Sequence, residues 1–343
     1  MCLSSRILAA ALISAGAFAF THTAGAQEHT FRLHSFGSPT SLDHTAHLDR
    51  WAEAVEADSD GRIAIEVYPA MQLGGRASDL VQQMEDGVVD IIWTLPGFTP
   101  GRFPGAQGLE LPFMNTGTSE TMSPAAMEFI ENHLQKEFEG IKVISVHATD
   151  GSLIHTIDEP IKTLEDFEGK RLRVAGRFIG EAVKGLGATP VGIAFPEVYE
   201  ALSRNQVDGM LINWAITQPM RFYEVTSYHT DSPLYQSMLM TLMRQDAYDS
   251  LPDDLKAVID KHSGIEYATR MGEIWDTATD PARQTAIDNG NTVVTLSDEE
   301  RARWKEAVTP AYTAWIETMN ERGYDGEALF KALQEITAKH GRE

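Results

Sequence analysis

The chain has 343 residues, 43% hydrophobic and 23% charged, a globular balance that excludes wholesale disorder. With 28 Lys and Arg against 50 Asp and Glu its net charge is −22, which argues against nucleic acid and anionic membranes as partners. The length suits two domains, and a single cysteine, Cys2, excludes a disulfide framework and a paired-thiolate zinc site.

Met1 to Ala26 carries a basic Arg6, an apolar run from Ile7 to Phe20 and the small residues Ala24-Gly25-Ala26. That pattern reads as a secretory signal peptide cleaved after Ala26, its apolar run shorter than the ~20 residues of a spanning helix. Cys2 leaves with it, and the mature protein is expected to be soluble and periplasmic. Phe31 to Phe36 then reads as a first strand, and Gly37 to Ser41 as a loop that supplies a helix cap. Leu48, Trp51, Ala52 and Val55 recur at helical spacing until Gly61. Ile63 to Pro69 alternates as a second strand, and a short helix spans Ser78 to Asp86. The apolar run Val88 to Trp93 suits a parallel strand covered on both faces.

The same grammar restarts after Ala148. His155 to Ile161 is extended, Leu164 to Gly169 is one helical turn, and Lys170 to Val174 is a strand. Helices follow at Phe178 to Leu186 and Pro196 to Arg204, with a strand at Val207 to Asn213. The tail is helical, with Ser297-Asp298-Glu299-Glu300 as a capping box before Trp304, Val308 and Trp315. The pattern is α/β in two lobes.

Catalytic and cofactor motifs are absent. The chain contains no G-x-S-x-G, H-E-x-x-H, Walker A or G-x-G-x-x-G pattern, and Gly185-Leu186-Gly187 has only two of the fingerprint glycines. Asp58-Ser59-Asp60-Gly61 is too short for a calcium loop, and His29, His34, His44 and His47 lack carboxylate partners at metal-binding spacing. No enzyme, cofactor or metal is therefore expected; a secreted hydrolase would need a nucleophile–base pair that no spacing supplies.

One stretch is specific. Asp166, Gly169, Arg173-Val174, Leu186-Gly187-Ala188, Pro190, Phe195, Glu197-Val198-Tyr199, Ala201-Leu202 and Val207-Asp208-Gly209 fall in one continuous pattern. Upstream agreement lies in Gly61-Arg62-Ile63, Tyr68-Pro69, Gln72-Leu73-Gly74, Gly87-Val88-Val89-Asp90 and Glu110-Leu111-Pro112-Phe113, and downstream in Leu251-Pro252. This pattern resembles the solute receptors of tripartite ATP-independent periplasmic (TRAP) transporters, the DctP-type binding proteins, over nearly the whole mature chain. A receptor of another importer class would share the two-lobed architecture but not these motifs.

The resemblance implies a two-lobed periplasmic-binding-protein-like fold with a hinge and long C-terminal helices. Lobe I would comprise 27–149 plus about 238–278, and lobe II 150–237 plus about 279–343. It implies a monomeric receptor that captures a carboxylate in the interlobe cleft and hands it to membrane permease subunits. Arg173 takes the role of the family's carboxylate-binding arginine, and the planar guanidinium fork suits two carboxylate oxygens. Strand alternation puts Arg171 and Arg173 on one face and does not choose between them. Many family members carry a second such arginine upstream, where Asp150 to Thr156 has none; His147, His155 or Arg177 is expected to substitute, Arg177 at a helix start that favours anions. The family's cleft asparagine aligns with Ile212, which makes Asn213 and Trp214 its replacements. Phe195 matches a phenylalanine that packs over ligand. The loops after the first and third strands, with Ser35, Phe36 and Ser41 and with Trp93, Thr94 and Phe98, sit at strand carboxyl ends where open sheets bind ligands. Trp93 reads equally well as core. Were Trp93, Phe195 and Trp214 all to reach the cleft, the ligand would carry an aromatic or apolar body beside its carboxylate, as an aromatic or a hydroxy or keto acid would.

Overall fold

A computed structural model describes residues 27–114 and 117–341, so the segment read as a signal peptide lies outside the described residues. Its strands are β1 (His29–Ser35), β2 (Ile63–Tyr68), β3 (Ile91–Thr94), β4 (Ile141–Ala148), β5 (Ser152–Thr156), β6 (Arg171–Val174), β7 (Thr189–Gly192), β8 (Gly209–Asn213), β9 (Tyr228–Tyr235), β10 (Met238–Arg244) and β11 (Thr292–Val294). They form two sheets, ordered β2-β1-β3-β10-β4 and β11-β9-β5-β8-β6-β7. The helices are α1 (Asp49–Asp58), α2 (Leu80–Glu85), α3 (Ser119–His133), α4 (Arg177–Gly185), α5 (Val198–Ser203), α6 (Trp214–Thr217), α7 (Gln245–Asp249), α8 (Asp253–Lys261), α9 (Gly264–Asp288), α10 (Asp298–Ala307), α11 (Thr309–Glu321) and α12 (Gly326–His340).

In the first sheet β1 runs parallel to β2 and β3, and β10 lies antiparallel between β3 and β4. In the second, β6 runs parallel to β7 and β8, with Arg173 opposite Val191 and Met210. Trp51, Ala52 and Val55 are buried on one stripe of α1, as their spacing predicts. The apolar run from Val88 divides: Gly87 at φ +70° turns the chain, the Val88 amide closes α2 by donating to Gln83 O at 2.9 Å, and pairing begins only at Ile91. Likewise the strand expected from His155 begins earlier, at Ser152, where β8 and β9 pair on either side.

The sheets are joined by two short crossings, residues 149–151 and 236–237. These crossings are tied to each other: Thr149 N donates to Ser237 O at 2.9 Å and Gln236 Nε2 to Thr149 O at 2.8 Å. Helix α9, about 37 Å long for its 25 residues, packs on α3 and β4 of the first half and on α6 of the second. The change of lobe expected near residue 278 falls inside this one helix. Only half of the expected capping box forms: Ser297 Oγ accepts from Glu300 N, while the Glu300 carboxylate accepts from Leu164 N and Arg303 instead; Trp304, Val308 and Trp315 are fully buried. Helix α11 packs on α4 and α12 on α3, so the C-terminal helices also touch both halves. Gly108 permits this: a Cβ there would stand 2.4 Å from the Trp315 ring.

Candidate ligand-binding cleft

Between the two sheets lies a cavity of ≈ 170 Å³. One wall comes from the first half: Phe36 to Ser41 after β1, Asp43, Trp93 at the end of β3, Leu95 and Phe98. The other comes from Arg173 on β6, Phe195, and Leu211, Ile212 and Asn213 at the end of β8. Thr149 and Ser237 of the two crossings, Tyr235 and Trp275 of α9 complete it. The position at strand carboxyl ends follows from the parallel topology of β1, β3, β6 and β8.

Arg173 is the one cation among the described lining residues, and only 3% of it is exposed. Its Nε donates to Ile193 O at 3.1 Å, which fixes the guanidinium plane. Among the described residues no carboxylate pairs with it. Burial pulls its pKa below the ordinary guanidinium value, against the opposing influence of Tyr235, yet arginine stays charged at any physiological pH. A buried charge without a counter-charge is costly unless a ligand supplies one. The Tyr235 phenol is pushed up chiefly by burial and remains a neutral donor.

The apolar part of the wall is aromatic. Phe36 stacks on Trp93 with ring centroids 4.4 Å apart and planes 14° from parallel, and Phe98 meets Phe36 edge-on at 4.9 Å. Phe195 stands edge-on to Phe222 at 6.4 Å. Asn213 is oriented by Asp150, whose carboxylate accepts from its Nδ2 and, at 3.1 Å, from Ala215 N. Burial raises Asp150 to about 6 despite these hydrogen bonds.

The structure thus gathers Arg173, Phe195, Asn213, Trp93 and Phe36 on one cavity, and sends the other three candidates elsewhere. His155 is fully buried opposite His229 of the neighbouring strand. Its Nε2–H donates to Ile212 O at 3.1 Å, which leaves its Nδ1 to accept from His229 Nδ1, 2.6 Å away. Trp214 packs edge-on against His155 at 5.1 Å and donates from Nε1 to Asp231 at 3.2 Å, because the chain turns into α6 just after Asn213. Arg177 is exposed and lines a separate surface groove with Gly97 and Arg322. His147 is likewise interior, 4.9 Å from His47, so no second cation replaces the absent arginine among the described lining residues. Asp43, Tyr235 and Trp275 are among the lining residues that sequence reasoning missed; no local pattern marks them.

Among the described residues no helix is long and apolar enough to cross a membrane, and no cluster of His, Cys, Asp and Glu could hold a metal. Residues 34–318 match the family model described as DctP, bacterial extracellular solute-binding protein, family 7. A TRAP solute-binding protein from Rhodoferax ferrireducens, solved with copurified benzoate, is 34% identical, with 91% of this chain and 98% of that one covered and a TM-score of 0.87. A marine-metagenome TRAP protein specific for aromatic acid ligands, solved with 3-hydroxybenzoate, is 38% identical, with 92% and 99% covered and a TM-score of 0.87. The ectoine/5-hydroxyectoine-binding periplasmic protein of Ruegeria pomeroyi is 24% identical, with 94% of each chain covered. The chain belongs to this DctP family, the two-lobed solute-binding proteins of TRAP transporters, which bind and carry without catalysing.

Proposed function

We propose that the protein is the receptor for an aromatic monocarboxylate, exported by the signal peptide that ends at Ala26, and that it serves a TRAP permease as a monomer. The observation that carries the reading is Arg173: a lone, buried guanidinium facing a cavity whose walls include the rings of Phe36, Trp93, Phe98 and Phe195. One cation calls for one carboxylate, bound through both oxygens of the fork. The aromatic walls call for a flat, apolar body. An apolar cavity of about 150 Å³ accommodates benzene, so ≈ 170 Å³ suits one ring with its acid group. The benzoate and 3-hydroxybenzoate held by the relatives from Rhodoferax and the marine metagenome have this chemistry.

The mechanism is capture by closure. Lobes built on the two sheets rotate about the crossings at 149–151 and 236–237, and the ligand is buried between walls that each lobe half-completes. Ligand binding favours the closed state by supplying the charge Arg173 lacks, and the closed complex is what the permease receives. Micromolar capture requires about −8.2 kcal/mol, within reach of two charge-assisted hydrogen bonds plus ring burial. The test is titration calorimetry with benzoate, hydroxybenzoates, phenylacetate, succinate and glucuronate, preceded by native mass spectrometry of protein from its host. Micromolar binding of aromatic acids and none of the others is expected; binding of dicarboxylates or sugar acids alone would overturn the assignment.

A further inference from the structure

Asp43 lines the cavity from the wall opposite Arg173, is 6% exposed, and belongs to no ion pair among the described residues. Its Oδ1 is buried with no hydrogen-bond partner. It opens a six-residue π-helix, Asp43–Leu48, a rare geometry that recurs at functional sites. An unsatisfied buried acceptor is destabilising, and binding can offset this by supplying a donor.

We propose that Asp43 recognises a hydroxyl on the ligand's ring, so that the ligand is a hydroxylated aromatic acid gripped at both ends. This rests on the aromatic-acid reading above. With the carboxylate on Arg173, the far edge of a single ring faces the wall that carries Asp43. Burial raises the Asp43 carboxyl to about 7, opposed by the Ser41 hydroxyl and its own backbone, and the other charged group among the described lining residues is Arg173. Near neutrality such a carboxyl both donates to and accepts from a phenol, whereas an ammonium group would need it fully ionised. A rival role exists, since an acid in the first turn of a helix also suits the helix dipole. That role predicts a stability change with no change in selectivity.

The experiment is calorimetry at pH 7 on the mature protein and Asp43→Leu, with benzoate, 3- and 4-hydroxybenzoate, 3-methoxybenzoate and 3-(aminomethyl)benzoate. The wild type is expected to bind the better hydroxybenzoate at least about ten-fold tighter than benzoate, and Asp43→Leu to narrow that ratio to about two-fold. An unchanged ratio in the variant, or tightest binding of the aminomethyl compound, overturns the proposal. Should Asp43→Leu fail to fold, the wild type still decides: methylation of the hydroxyl is expected to weaken binding about ten-fold, and equal binding overturns it. If benzoate binds and hydroxybenzoates bind no better, only this inference fails. If no aromatic acid binds, the aromatic-acid reading fails with it.

Discussion

Arg171 and Arg173 stand two residues apart on one face of β6, yet their surroundings differ completely. At the exposed end Arg171 makes a two-point pair with Asp208, at 2.7 and 3.1 Å, and donates to Asn205 O at 2.9 Å. The pair raises Arg171 and lowers Asp208, as mutual stabilisation requires. At the inner end Arg173 has the backbone carbonyl of Ile193 and no carboxylate among the described residues. Identical side chains on identical backbone thus divide into a brace and a binding group, and what divides them is whether the fold supplies the counter-charge.

The harshest test of this contrast is Arg173→Ala. Two hydrogen bonds to a charged group, at about 1.5–3 kcal/mol each, are lost, so affinity for an aromatic acid should fall about a hundred-fold or more by calorimetry. The ligand-free melting temperature should hold or rise, because the variant removes a buried charge that the empty protein leaves unpaired. Arg173→Lys should fall between, keeping the charge but losing the fork. A variant that binds normally would remove Arg173 from the site.

The second half holds a buried histidine pair, His155 and His229, that should respond to pH in the empty protein. Burial lowers His229 to about 4 and holds His155 well below the ordinary imidazole range. Below pH 6.5 the unfolded chain binds a proton at His229 that the folded chain refuses until about 4. This contribution to stability is therefore complete above pH 6.5 and drains as pH falls towards 4. Between pH 7 and 5 it amounts to about 2 kcal/mol. Glu110 and Glu137, raised to about 7 by burial, act with the opposite sign, since the folded state keeps protons the unfolded state has released. The measurement is accordingly a difference: urea unfolding of wild type and His229→Gln at both pH values, with the wild type losing more on acidification. Parallel losses would show that His229 does not carry the effect.

A smaller effect belongs to the rim where the two halves meet. A Cβ at Gly97, after β3, would lie 3.2 Å from Ala175 O, after β6, tighter than ordinary contact. Gly97→Val should keep the halves apart and weaken binding about ten-fold, chiefly through faster release in stopped-flow, with the melting temperature unchanged. Unaltered release would mean that this contact plays no part in closure.

The strands and helices that repeat a short local period were readable in advance: β1, β2, α1, β6 and the helix that Ser297 caps lie where periodicity and that cap put them. The segment around Arg173 carried the family pattern, and with it the two-lobed plan. Strand β10, buried on both faces, and the 25-residue α9 have no such signature, because their boundaries are set by neighbours distant in the chain. The same reason explains the candidates that moved. His155 is drawn inward by His229, 74 residues on, and Trp214 by Asp231. Asp43, Tyr235 and Trp275 reach the cavity only because the crossings and α9 bring three remote segments together.

The finest test returns to the outer end of β6. Arg171→Ala removes a partly exposed ion pair whose arginine side chain is 44% accessible, and solvent screening keeps such pairs weak. The Asp208 carboxylate keeps its bond from Arg171 N, at 2.7 Å, so the turn after α5 stays anchored. Only a small shift of the urea midpoint is expected, shrinking further in high salt, with ligand affinity untouched. A loss of affinity matching that of Arg173→Ala would mean that the two arginines act together on the ligand, and the division between brace and binding group would collapse. A purely structural loss would instead place the whole distinction in one fact, that Asp208 stands beside the first arginine and a cavity beside the second.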